Sequence, residues 1–109
     1  MIRATTPTHT FSFNNLDPST FKVLNAYYAQ QGVELICKTK NDFVFGTKET
    51  DLGLLYLAST TLTQEETKLF KPKYKVEVQL RVLTADDRSL ATPKYELAVW
   101  DVINDEVLE

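Results

Sequence analysis

His9 and Cys37, the single histidine and the single cysteine, are the side chains best suited to chemistry, and no motif surrounds either. A general base needs a nucleophile or a carboxylate within reach, and Thr8 and Thr10 beside His9 supply no such arrangement. His9 therefore reads as a surface or strand-edge histidine. A metal site built on histidine and cysteine needs more ligands than these two. Cys37, between Ile36 and Lys38, reads as a buried, inert thiol in a strand. The adjacent acids Glu65-Glu66 and Asp86-Asp87 point apart on any regular element, so neither forms an acid/base couple. Asp86-Asp87 and the acids between Asp101 and Glu106 also lack the spacing and tight glycine turn of a calcium loop. The only glycines are Gly32, Gly46 and Gly53, so no glycine-rich phosphate loop exists. The expectation is a chain with no catalytic residue, no metal and no cofactor.

Binding has better candidates. Five tyrosines, one tryptophan and six phenylalanines offer a stacking platform in principle, although a core of this size needs most of them. If Tyr28 points inward, Tyr27 points outward and becomes the best aromatic contact. Charge is uneven along the chain. Lys68, Lys71, Lys73 and Lys75 make a basic stretch, and Asp101, Asp105, Glu106 and Glu109 make the C-terminal end acidic. These are either solvated surfaces or two patches that pair head to tail between subunits. The net charge of −3 gives no overall electrostatic reason to bind nucleic acid. The longest apolar run, Leu54 to Ala58, is too short to cross a bilayer, and the first ten residues lack the apolar segment of a secretory signal.

The elements that must position these residues read mainly as strands. At 109 residues, with 43% hydrophobic and 25% charged residues, the chain fits one globular domain over 1–109. Tyr74, Val76, Val78, Leu80 and Val82 alternate with Lys75, Glu77, Gln79 and Arg81, a period of two that predicts an antiparallel strand with one buried face. Thr63 and Glu66 have capping-box spacing, and Pro72 stops what they start, so a short helix is predicted over Gln64 to Phe70. Leu69 and Phe70 are its expected inward anchors. Leu54 to Leu62 predicts a strand more buried at its beginning than at its end. Phe43 to Phe45 predicts a short strand, with Gly46 to Gly53 as loop. Thr8 to Phe13 and Tyr95 to Ile103 predict outer strands, Pro93 confining the latter to an edge or to a start after it.

Residues 17–31 admit two readings. Asp17 as cap, Pro18 as first helical residue, Phe21, Leu24 and Tyr28 at helical spacing and Gly32 as stop satisfy the rules for a helix. The rival is a strand over Lys22 to Ala29, a turn at Gln30-Gln31-Gly32 and a second strand over Val33 to Thr39.

A resemblance bears on this choice. Met1-Ile2-Arg3 with Thr5-Thr6-Pro7-Thr8, Tyr28-Ala29-Gln30-Gln31-Gly32, Leu62-Thr63-Gln64-Glu65-Glu66-Thr67, Val78-Gln79-Leu80-Arg81-Val82 and Asp105-Glu106-Val107-Leu108 occur in this order. Together they resemble small proteins encoded in phage and prophage regions of Gram-positive gut bacteria, near virion structural genes. The layout is more distantly similar to the immunoglobulin-like N-terminal domain of phage baseplate upper proteins. The resemblance implies that Tyr28 to Gly32 is a strand running into a hairpin turn. Gly46 to Gly53 is longer than in that pattern.

The resulting expectation is an all-β, immunoglobulin-like antiparallel β-sandwich of about seven strands with one short helix at about residues 64–70. Tyr74, at the start of the penultimate strand, resembles a tyrosine corner, so Tyr74→Phe is expected to lower stability by ~1 kcal/mol. The expected function is that of a non-enzymatic virion accessory or structural protein of the tail, baseplate or capsid. Its partners would be other virion proteins or further copies of itself, with no nucleic acid, membrane or small-molecule substrate. Tyr27, Lys71, Lys73, Lys75, Asp101, Asp105 and Glu106 are the candidate contacts, and the Tyr95 to Ile103 edge the candidate surface. The alternatives are a soluble inhibitor of a host defence protein and a carbohydrate-binding module.

Overall fold

The structure is a computed structural model that describes residues 1–92 and 94–99. Trp100 to Ile103, Asp105 and Glu106 lie outside the described residues. Two antiparallel sheets face each other. In chain order their strands are β1 (Thr8–Asn14), β2 (Val23–Gln30), β3 (Val33–Lys38), β4 (Phe43–Thr50), β5 (Gly53–Thr61), β6 (Val76–Leu83), β7 (Ser89–Ala91) and β8 (Tyr95–Leu97). One sheet runs β1-β5-β4, and the other runs β3-β2-β6, with β7 and β8 sharing the outer side of β6. Among the described residues the one α-helix, α1 (Gln64–Lys68), makes the crossing from β5 to β6.

Within residues 17–31 the long helix is replaced by a short turn and the strand β2. Asp17 does cap, its carboxylate accepting from the Ser19 N–H at 3.0 Å, but the turn it opens is a 3₁₀ turn of three residues, Pro18–Thr20. From Val23 onward, Leu24, Ala26 and Tyr28 point inward and pair with Val82, Leu80 and Val78 of β6. Strand pairing buries all three on one face, which a helix would splay apart. Gln31 and Gly32 both take positive φ, +52° and +77°, as a two-residue hairpin turn of the I′ type requires.

The core lies between the sheets. Val76, Val78, Leu80 and Val82 are buried along β6, as their alternation predicts. Phe21, Leu24, Ala26 and Tyr28 meet them along β2, and Phe43, Ala58, Leu62 and Phe70 close the other side. Phe11 and Phe13 of β1 pack against this cluster from its open edge. Phe13 stands edge-on to Phe21, with ring centroids 5.6 Å apart.

Three local expectations change. Gly46 to Thr50 continues β4, and the loop shrinks to Asp51-Leu52, with Gly53 supplying the left-handed step at φ +120°. This hairpin arm is almost wholly exposed, so no apolar alternation marks its outer half. For the same reason β5 is buried at its end, at Ala58 and Thr60, and exposed at its start, where Leu54 lies in the arm. In α1, Thr63 and Glu66 form the capping box, each accepting the other's backbone N–H. Phe70 is buried beyond it, but Leu69 is exposed, and Thr67 fills the inward position instead.

Tyr74 does not make the corner bond. Its side chain is 43% exposed, and its N–H donates to the Lys71 carbonyl. Gln30, at the end of β2 and only 5% exposed, ties the corner instead. Its side-chain amide donates to the carbonyls of Lys71 and Tyr74, each at 2.9 Å, and accepts from the Lys71 N–H at 2.7 Å.

Candidate interaction surface

Among the described residues, β1 forms one free edge of its sheet, and β7 and β8 border the facing sheet. Between them runs an open cleft of about 640 Å³. His9, Phe11 and Phe13 line one wall and Val78, Leu80 and Leu97 the other. Thr92 bridges the gap between β7 and β8. It exchanges backbone and side-chain hydrogen bonds with Leu80 at 3.0 Å and accepts from the Gln79 amide at 2.9 Å.

His9 enters the cleft because it shares the inward parity of Phe11 and Phe13. It is half-buried, with Nδ1 2.7 Å from the Tyr28 hydroxyl and the two rings 5.6 Å apart. Desolvation, reinforced by the positive N-terminal amine, holds its pKa below 6.5. Tyr28, fully buried, has its pKa pushed upward by desolvation and then by Glu66, so its hydroxyl stays protonated and donates to the neutral imidazole. This is a polar bolt between the sheets. Because the folded pKa is depressed, the unfolded chain binds the proton more readily. The stability that His9 contributes is complete above pH 6.5 and is lost as pH falls through that value toward the folded pKa. His9→Gln keeps an amide beside Tyr28 but does not titrate. Urea midpoints at pH 7 and pH 5 should therefore converge in that variant and differ in the native chain. Equal pH dependence in both would remove His9 as the cause.

Cys37 lies on the outer face of β3 and is exposed, contrary to expectation, because its parity opposes that of buried Ile36. Partial burial, then Glu34 and Asp42, push its thiol pKa up and disfavour the reactive thiolate. Glu66 goes the other way. Burial alone would raise it, but hydrogen bonds from Lys38 and from the Thr63 N–H hold its carboxyl below the ordinary value. The 2.8 Å Lys38–Glu66 pair fastens β3 to the first turn of α1. Among the described residues, no three acids, histidines or cysteines gather as metal ligands do.

Among the described residues, the predicted contacts lie on different parts of the surface. Tyr27 is on the outer face of β2, half-buried between Cys37 and Gln79, with its hydroxyl accepting from Asn25 at 3.0 Å. Lys71, Lys73 and Lys75 are exposed at the corner before β6. Lys75 pairs with Glu96 of β8 at 3.2 Å. Asp101, Asp105 and Glu106 lie outside the described residues. The Tyr95 to Ile103 edge is described only to Val99, and its strand spans three residues.

Sequence reasoning overlooked β1 as a surface. The available signal was its lack of charge: residues 4–16 contain no Lys, Arg, Asp or Glu. On the outer face of its sheet, hydroxyls ladder across the strands, Thr8 to Thr61 at 2.7 Å and Thr10 to Ser59 at 2.9 Å. Comparison with known proteins returns no matching family model, no matching curated protein and no matching solved structure.

Proposed function

We propose that this chain is a non-enzymatic accessory or structural component of a phage virion, of the tail, baseplate or capsid, and that it works through protein–protein contacts. The observation that carries the reading is the β1 edge, a seven-residue uncharged strand beside a cleft that holds Phe11, Phe13, Val78 and Leu80, a surface suited to receiving another strand. The resemblance of its sequence segments to phage-encoded proteins near virion structural genes supplies the setting. The chemistry of the cleft favours contact over catalysis. His9, which lines it, is engaged by the Tyr28 hydroxyl, and Glu96, which also lines it, is paired with Lys75.

The test is mass spectrometry of gradient-purified virions. The chain is expected in them at a fixed ratio to a tail or capsid protein. Its confinement to the cytosol of infected cells would overturn the reading.

A further inference from the structure

Among the described residues, the four sheet edges are not equally defended. Exposed strand edges invite pairing, and proteins blunt them with charge, bulges, brevity or proline. β3 carries Glu34 and Lys38 and is broken by a bulge at Leu35. β4 carries Lys48 and Glu49. The β7–β8 edge consists of two three-residue pieces with Lys94 and Glu96. β1 has none of these devices. It is uncharged and pairs with β5 in unbroken register over all seven residues.

We propose that β1 pairs antiparallel with β1 of a second copy of this chain, across a twofold axis through Phe11, joining two three-stranded sheets into one of six. The strand is self-complementary in that register. Thr10 faces Ser12 of the second copy, His9 faces Phe13, Thr8 faces Asn14, and Phe11 faces its own image. Each pair joins residues of the same face, which keeps Phe11 and Phe13 on the inner face and the hydroxyls on the outer one. A twofold contact brings each part of a surface near its own image, so charge there is self-repelling. The uncharged run 4–16 avoids that penalty. The added strand also roofs the cleft beside Phe11 and Phe13. This goes beyond the virion reading and does not depend on it. A dimer in solution with no copy in virions would leave it standing, and a monomer found in virions would not.

The experiment is sedimentation equilibrium of the full chain from micromolar to millimolar concentration. The expected species at the upper end has twice the 12.5 kDa mass of the chain. Thr10→Lys with Ser12→Lys sets like charges opposite each other twice across the axis and is expected to weaken the dimer ~10-fold. Thr10→Lys with Ser12→Glu sets opposite charges there and restores it. Both positions are exposed, so an unchanged circular dichroism spectrum is expected in each variant. A chain that stays monomeric throughout overturns the proposal. So does equal loss in both double variants, or dimerisation that neither disturbs. Slow deuterium exchange at the outer amides of β1 in a monomer also overturns it, because the edge would then be covered by its own chain.

Discussion

Tyr28→Ala is expected to lower the unfolding free energy by about 3–5 kcal/mol, the range for truncating a large buried aromatic. Tyr28 is wholly buried and belongs to both halves of the molecule. It sits on β2, its hydroxyl meets His9 of the facing sheet, and its ring lies 6.3 Å from Phe70 at the α1 corner. Alanine leaves a cavity at that junction, which the surrounding strands cannot collapse without losing register. Domains of this kind are stable by about 5–15 kcal/mol in total, so the loss is a large share. Tyr28→Phe separates packing from the hydrogen bond. It keeps the ring and should cost about 1 kcal/mol. Chemical denaturation followed by circular dichroism measures both. Equal losses in the two variants would mean that the hydroxyl, and not the ring, joins the sheets.

Gln30→Leu is expected to cost about 2–3 kcal/mol, because it strands the Lys71 N–H and the Lys71 and Tyr74 carbonyls in a partly buried corner. Leucine fills nearly the same volume, so the loss reports hydrogen bonds and not a cavity. Gln30→Glu, which turns two donated bonds into contacts between acceptors, should be at least as damaging at neutral pH. Tyr74→Phe is the control and should change stability by no more than about 0.5 kcal/mol, as for other exposed positions. A denaturation midpoint that moves for Tyr74→Phe and stays for Gln30→Leu would return the corner to the tyrosine hydroxyl.

Together these variants test how the two sheets and the crossing between them are joined. Tyr28 joins sheet to sheet, and Gln30 joins β2 to the segment that leads into β6. Neither substitution touches the exposed side of β1. Loss of fold and loss of self-association can therefore be measured in separate variants.

By itself the sequence determined the class of fold and several of its joints. Alternation in β6 was legible because one face of that strand is buried and the other wet, so polarity switches at every residue. The capping box at Thr63 and Glu66 was legible because a helix start is satisfied by residues three apart. Tertiary structure decided the rest. Leu24 and Tyr28 lie four apart, which suits a helix, and Ala26 between them suits a strand; only pairing with Val82, Leu80 and Val78 of β6 selects the second. The outer half of β4 projects from the sandwich, so its residues carry no burial signal. Gln30 finds its partners 41 and 44 positions away, and His9 meets Tyr28 across 19. Local rules see neighbours within a turn or along a strand, whereas these contacts exist only once loop closure and burial have brought distant segments together.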